Sequence, residues 1–271
     1  MAQPLPEICL ESNQETTTLE DGRVLPTQTR TSPTADAPTL PLLNNASQHS
    51  STGFPVGLPS QAGITGHNSS HLSGITEWTF SESQSDIQGR TGSNACVFIA
   101  LYMGKLCSQR NLPWPAGDSL PDSWQTSFRE AMFKGNKIHD DLFDHDATNV
   151  TVEDAVSMAG EECGVESLGQ QIDIFGTNPV NQLANVLVQE AQNLSCQSFS
   201  VVVSHDRAFL VVVNPDQSAM LIDSHSHGSR GGIIAYSQKG NIISLPFWLD
   251  AMMKANWQCS LTIAALTKIF F

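Results

Sequence analysis

The sequence predicts an α+β fold, in which N-terminal helices pack on an antiparallel β-sheet and a disordered tail precedes them. Apolar residues recur at helical spacing within residues 93–193, which predicts helices in the first part of the domain. After residue 198 the chain changes to short β-branched runs separated by polar turns, which predicts antiparallel strands. A change in composition near residue 74 marks the end of the tail.

Residues 1–74 differ in composition from the rest of the chain. Thr, Ser, Pro, Gln and Asn dominate them, only eight are charged, and the apolar residues show no periodicity. Such a segment buries too little apolar surface to offset the entropy lost on ordering. The sequence therefore predicts a disordered tail over residues 1–74 and a single domain over residues 75–271.

The overall composition excludes several classes of protein. A net charge of -14 and a pI of about 4.8 leave no basic surface for nucleic acid. Without a secretory signal or an apolar run of membrane length, the chain is predicted to be intracellular, cytoplasmic or nuclear. The six cysteines are widely spaced and predicted to be free thiols. No cofactor is expected, and the oligomeric state is left open.

The first ordered elements lead up to Cys96. Residues 75–80 alternate apolar and polar side chains, which predicts a short strand. Ser93 and Asn94 are preferred N-cap types that follow the flexible Gly92. A buried helix is therefore predicted to begin at Ser93 or Asn94 and to continue through the apolar run that follows Cys96.

Three further helices are predicted before the sheet. The first covers residues 124–134 and ends at Gly135 and Asn136, which are typical of a helix stop. An acidic, histidine-bearing segment at residues 139–146 is predicted to be a solvated loop or a helix start. Local caps predict the other two helices, over residues 152–159 and 179–193.

From residue 199 the pattern indicates an antiparallel meander, because the turns between the β-branched runs are short. Its strands are predicted over residues 199–203, 208–213, 219–223 and 232–236. A helix over residues 246–256 and a last strand over residues 261–271 complete the predicted domain.

Cys96 is the first candidate site residue. At the start of a helix, unpaired backbone N–H groups and the positive end of the helix dipole stabilise a thiolate. Cysteine hydrolases keep their nucleophile in such positions. The alternative is a core residue, since cysteine is among the most often buried residue types. Cys107 lacks the preceding glycine turn and the helix start, so it is interpreted as structural.

Asp223, His225 and His227 alternate with serines at the end of the third strand of the meander. Residues i and i+2 of a strand share a face, so Asp223 and His225 are predicted to touch, as a general base and its orienting carboxylate do. Two alternatives stay open. His225 is a structural histidine on the sheet, or the three residues bind a metal ion, with His139 or His145 as a further ligand.

These residues together resemble the herpesvirus large tegument protein deubiquitinases, which are papain-like ubiquitin-specific cysteine proteases. The resemblance implies a papain-like fold and a triad of Cys96, His225 and Asp223, in which the aspartate precedes the histidine. In the ordinary papain pattern the third member follows the histidine. The resemblance also implies an oxyanion-hole glutamine: Gln84, twelve residues before the cysteine, fits best, and Gln88 is the fallback.

The resulting hypothesis is a cysteine-type peptidase that cleaves ubiquitin or a ubiquitin-like modifier from conjugates. The acidic balance of residues 75–271, with 21 acidic and 11 basic residues, is compatible with the basic face of ubiquitin. Two alternative functions stay open. One is a catalytically inactive binding module on the same fold, and the other is a metal-dependent hydrolase that uses the Asp-x-His-x-His motif.

Overall fold

The computed structural model of the protein describes residues 65–68 and 74–271. Almost all of the predicted tail lies outside these residues, so the tail and its boundary with the domain stay predictions. Residues Thr65–Asn68 fall inside the range assigned to the tail, and they form a strand that pairs with residues 76–79. No helix in the described part of the chain is long and apolar enough to cross a membrane.

The described strands form one antiparallel sheet. Its eight strands are β1 (Thr65–Asn68), β2 (Ile75–Thr79), β3 (Ser167–Phe175), β4 (Ser198–Ser204), β5 (Arg207–Val213), β6 (Ala219–Asp223), β7 (Ile233–Ser237) and β8 (Ile263–Phe270). Their order across the sheet is β1-β2-β7-β6-β5-β4-β8-β3. Because β4, β5, β6 and β7 pair consecutively and antiparallel, the predicted meander is confirmed.

Helices cover both faces of this sheet. Within the described residues they are α1 (Cys96–Arg110), α2 (Asp122–Phe143), α3 (Val152–Ala159), α4 (Pro179–Asn193) and α5 (Ser244–Trp257). On one face α1 packs against α2 and β5, and on the other α4 packs against α5. Alternate residues of a strand pack into two separate apolar clusters. Val201 packs in the cluster on the α1 face of the sheet, and Val202 packs in the cluster on the α4 face. The predicted α+β class is confirmed.

The helices α3 and α4 begin and end where the sequence predicts. Thr151 caps α3, since its hydroxyl accepts a hydrogen bond from the N–H of Asp154 at 3.1 Å. Asn178 caps α4 in the same way, and Pro179 occupies the first turn. These boundaries are predictable because each cap acts within one helical turn.

The predicted end of α2 is wrong, since the helix passes Gly135 and Asn136 and continues to Phe143. A Cβ atom on Gly135 would lie 2.5 Å from the side chain of Ile99 and 2.7 Å from its backbone nitrogen. The glycine therefore permits the close approach of α1 and α2, and it does not stop the helix. The first half of the acidic segment at residues 139–146 is consequently helical, and its His139 is buried.

The sequence pattern predicts no element at β3. This strand lies at the edge of the sheet and pairs only with β8 among the described strands. Most of its side chains are exposed, so it lacks the apolar alternation by which a half-buried strand is recognised. Its pairing depends on β8, which lies about ninety residues further along the chain.

Candidate active site

Cys96 is the first residue of α1 and is 6% exposed. The helix begins later than predicted, because neither Ser93 nor Asn94 is its N-cap. The Ser93 hydroxyl accepts from the Ala95 N–H at 3.1 Å and donates to Asn136 at 2.6 Å, while the Asn94 amide donates to the loop before α3. Cys96 thus lies where the N–H groups of the first turn have no intrahelical acceptor.

His225 and Asp223 touch, as the strand spacing predicts. Asp223 ends β6 and is completely buried. Its Oδ1 accepts hydrogen bonds from Nδ1 of His225 at 2.7 Å and from the backbone N–H of His225 at 2.9 Å. The thiol of Cys96 is close enough to His225 to raise the pKa of the imidazole. Because Nδ1 faces the carboxylate, Nε2 is the ring nitrogen left for the thiol.

The contact between His225 and Asp223 favours the charged form of each side chain. Burial by itself lowers the pKa of His225, but the charge and hydrogen bond of Asp223, together with the contact with Cys96, raise it to about 9. Burial by itself raises the pKa of Asp223, but the two neighbouring histidines hold it well below its ordinary value. At neutral pH His225 is therefore an imidazolium that faces a carboxylate on one side and a thiol on the other.

Aromatic side chains enclose the imidazole. The ring of Trp257, the last residue of α5, lies 5.8 Å from the ring of His225, and the ring of Phe209 lies 6.1 Å from it. The guanidinium of Arg207 covers the indole at 4.2 Å. Only 15% of the His225 side chain is exposed, so the ion pair with Asp223 is weakly screened by water.

Gln84 links the loop that leads into α1 and Cys96 to the segment between Asp223 and His225 that follows β6. Its Nε2 donates to the carbonyl of Ser93 at 3.1 Å, and its Oε1 accepts from the hydroxyl of Ser224 at 2.6 Å. Since a carbonyl only accepts hydrogen bonds, the contact with Ser93 fixes which end of the amide is the nitrogen. One Nε2 hydrogen is directed at Ser93, which leaves the second amide hydrogen without an assigned acceptor in this contact.

The structure separates the two candidate glutamines. Gln84 is 2% exposed, and its partner Ser224 lines a small pocket together with Cys96. Gln88 is exposed and lies in a short 3-10 turn, Ile87–Gly89, with a left-handed backbone at φ 57°. Of the two glutamines, Gln84 is therefore the one connected to Ser93 before α1 and to Ser224 after β6.

The metal-binding alternative has no geometric support. Within residues 65–68 and 74–271, no three His, Cys, Asp or Glu side chains are placed to hold a metal ion. Nε2 of His227 lies 3.0 Å from Oδ2 of Asp223, so the carboxylate lies between two imidazoles. His139 contacts the Thr148 carbonyl at 2.8 Å, and His145 lies 3.3 Å from Asp140.

A cleft of about 310 Å³ opens beside Cys96. The starts of α1 and α3 line it together with residues of β3, β5 and β8. Its charged lining residues are Glu153, Asp154, Asp206 and Arg207, so carboxylates outnumber cations. Residues 138–206, which supply part of this lining, contain twelve Asp and Glu and no Lys or Arg.

Sequence reasoning missed Asn136 and Ser224 as members of the site. Asn136 is 2% exposed, and its amide donates to the Gln84 carbonyl at 3.0 Å. Ser224 stands between the two motif residues Asp223 and His225, but its hydroxyl bonds to Gln84, 140 residues away in the chain. The serine inside the Asp-x-His motif was the available signal, although its partner was not readable from spacing.

Comparisons with known proteins give structural neighbours only. No family model matches the chain, and no curated protein matches its sequence. Among solved structures, the chain is similar to the ubiquitin-specific protease encoded by a murine cytomegalovirus tegument protein, solved with a ubiquitin-based suicide substrate. The TM-score is 0.45 at 10% identity, over 70% of this chain and 82% of that chain.

A second similar structure is the Pseudomonas avirulence protein AvrPphB. The TM-score is 0.44 at 10% identity, over 70% of this chain and 96% of that chain. A herpesvirus tegument ubiquitin-specific protease, the class that the sequence motifs resemble, is thus among the structures to which this chain is similar.

Proposed function

We propose that the chain is a cysteine-type peptidase, with Cys96 as nucleophile, His225 as general base and acid, and Asp223 as the group that orients and charges His225. The observation that carries this proposal is the hydrogen bond between His225 and Asp223, with the imidazole close to the thiol of Cys96, which lines an open cleft. A helix-start cysteine paired with an imidazole is an activated nucleophile.

The reaction begins from a thiolate and an imidazolium. With the pKa of His225 raised to about 9, the imidazole is protonated at neutral pH, and its positive charge together with the start of α1 stabilises a thiolate. The thiolate attacks the carbonyl carbon of the scissile bond, and His225 gives its proton to the leaving amine. Water then adds to the thioester with His225 as the base, which releases the acid product and regenerates the thiolate.

Gln84 is proposed to stabilise the negative oxygen that forms in each addition step. Its amide nitrogen has one hydrogen left after the contact with Ser93, and the N–H groups at the start of α1 supply further donors. Loss of one such donor typically costs about 10²–10³-fold in rate. Ser224 holds the amide in this orientation through its hydrogen bond to Oε1.

We propose ubiquitin or a ubiquitin-like protein as the modifier that is cleaved. The sequence resemblance supports this, and the acidic lining of the cleft favours a substrate with basic side chains near the scissile bond. If so, the double substitution of Glu153→Gln and Asp154→Asn raises KM about threefold to tenfold and leaves kcat unchanged. High salt reduces the difference in KM between the wild type and this variant, because screening weakens the attraction between the carboxylates and the substrate.

The test is incubation of the purified chain with a ubiquitin probe that ends in a thiol-reactive electrophile. We expect a covalent adduct that is absent in Cys96→Ala, while Cys107→Ala, which removes a buried thiol whose pKa burial holds well above its ordinary value, behaves as the wild type. An adduct that persists in Cys96→Ala contradicts the assigned nucleophile. Labelling of Cys96 by a small alkylating agent without probe labelling contradicts ubiquitin, and no labelling by either favours the inactive binding module.

A further inference from the structure

We infer that His227 is a positioning residue of the triad, which holds the second oxygen of Asp223 and so fixes the carboxylate that charges His225. The inference rests on the proposed cysteine peptidase function. His227 lies two residues beyond His225 and faces the second oxygen of Asp223. Its role is therefore exerted through Asp223.

The two oxygens of Asp223 have different surroundings. Oδ1 accepts both hydrogen bonds from His225, at 2.7 Å and 2.9 Å. Oδ2 is buried and faces Nε2 of His227 at 3.0 Å. The contact is close but lacks hydrogen-bond geometry, and within residues 65–68 and 74–271 neither Oδ2 nor a ring nitrogen of His227 has a hydrogen-bond partner. His227 is thus the one polar side chain of the described residues that can satisfy Oδ2.

A buried carboxylate oxygen without a donor is costly, and Asp223 is completely buried. A donor on Oδ2 lowers that cost and also fixes the plane of the carboxylate, which determines whether Oδ1 points at Nδ1 of His225. Only a protonated Nε2 can serve as this donor. The required form of His227 therefore carries its hydrogen on Nε2.

The surroundings of His227 hold the ring in place. Its side chain is fully buried, and the Trp257 ring lies 5.0 Å away at an angle of 35°. The backbone of His227 exchanges two hydrogen bonds with Arg230, at 2.9 Å and 3.1 Å. Arg230 in turn donates to Glu77 of β2 at 2.8 Å, which anchors the loop to the sheet. The imidazole is held by rigid neighbours rather than by solvent.

The test compares two amide substitutions in the full chain. Glutamine places its side-chain nitrogen near the position of Nε2 and still donates to Asp223, whereas asparagine is one methylene shorter and does not reach it. We expect His227→Asn to lower kcat and the rate of Cys96 alkylation by iodoacetamide about 10- to 100-fold, with KM unchanged, while His227→Gln stays within about threefold of the wild type.

A matched control is His139→Asn. His139 is also a buried histidine, 3% exposed, but its ring contacts a backbone carbonyl of the loop before α3. We expect this variant to leave kcat and Cys96 alkylation unchanged. In an Asp223→Asn background, His227→Asn has no further effect if His227 acts through the carboxylate.

Two results overturn the inference. Equal rates for His227→Asn and His227→Gln, whether both fast or both slow, show that the donor on Oδ2 does not matter. An undiminished effect of His227→Asn in the Asp223→Asn background shows that His227 acts by another route. Failure of the proposed function looks different: Cys96 of the wild type is then alkylated no faster than the half-buried Cys259, whichever residue occupies position 227.

Discussion

The substitution Asp223→Asn removes the charge that keeps the proton on His225 and changes the shape of the site very little. The asparagine oxygen can accept both hydrogen bonds that Oδ1 accepts from His225, at 2.7 Å and 2.9 Å. Its amide nitrogen then faces His227, where the second carboxylate oxygen lay. We therefore expect the variant to fold and the electrostatics of the triad to change.

The magnitude follows from the separation of the charges. At about 4 Å and an effective dielectric constant of about 20, the attraction between a carboxylate and an imidazolium is about 4 kcal/mol. Because the hydrogen bond to asparagine retains part of this, we expect a loss of about 2–3 kcal/mol. Such a loss reduces the population of the imidazolium–thiolate pair about 30- to 150-fold near neutral pH.

The assay is the rate at which iodoacetamide alkylates Cys96 as a function of pH, measured on the Cys96 peptide because Cys196 and Cys259 are partly exposed. We expect the wild-type rate to be nearly constant from about pH 6 to pH 8, because the ion pair supplies the thiolate. In Asp223→Asn we expect the alkylation rate near pH 6 to fall about 30- to 150-fold. The rate should then rise again as the pH approaches the pKa of an ordinary thiol.

The matched control is Asp216→Asn. Hydrogen bonds from Ser218 hold the pKa of Asp216 below its ordinary value despite its partial burial, and this carboxylate lies in the turn between β5 and β6. The control is expected to keep the wild-type profile. A profile of Asp223→Asn that matches the wild type refutes the reasoning, because the charge of Asp223 then does not set the protonation of His225.

Three further predictions concern other parts of the structure. Gln84→Ala is expected to lower kcat about 10²–10³-fold and Gln88→Ala to leave it unchanged; the reverse ranking would reassign the oxyanion donor. Gly135→Ala places a methyl group 2.7 Å from a backbone nitrogen of α1, so urea denaturation should show a free energy of unfolding lower by about 1–3 kcal/mol. Gly92→Ala, which meets nothing within 4 Å, is its control. Since the pKa of His225 is raised from 6.5 to about 9, its contribution to stability is complete below pH 6.5 and is lost as the pH rises through about 9. We expect a decrease of roughly 3 kcal/mol that is absent in His225→Gln, and equal pH dependence in both proteins would contradict the assigned shift.

Local signals predicted much of the fold. The caps Thr151 and Asn178 and the first-turn Pro179 lie within one turn of the helices they start, so α3 and α4 were predictable at both ends. The strands β4 to β7 were predictable because short turns connect β-branched runs. The contact between Asp223 and His225 was likewise predictable from their i and i+2 spacing, although β6 ends at Asp223 and His225 lies just beyond it.

Other features could not be predicted from the sequence, because the residues that determine them lie far apart in the chain. Gly135 reads as a helix stop, but its role is the close approach of α1 to α2. Ser93 and Asn94 read as caps, but side chains of α2 and of the following loop bind them instead. A local pattern records the preference of a residue in an isolated segment, and a buried long-range partner overrides that preference.

The sequence by itself determined the fold class, the helix-start position of Cys96 within one turn, and the contact between Asp223 and His225. Only the tertiary structure decided that these two halves, 129 residues apart from Cys96 to His225, come into contact. It also decided that Gln84 and not Gln88 joins them, and that His227 faces the second oxygen of Asp223. The physical reason is that closing so long a loop costs chain entropy. Burial of apolar side chains in the two clusters on either face of the sheet offsets this cost, and no local spacing in the sequence encodes these long-range contacts.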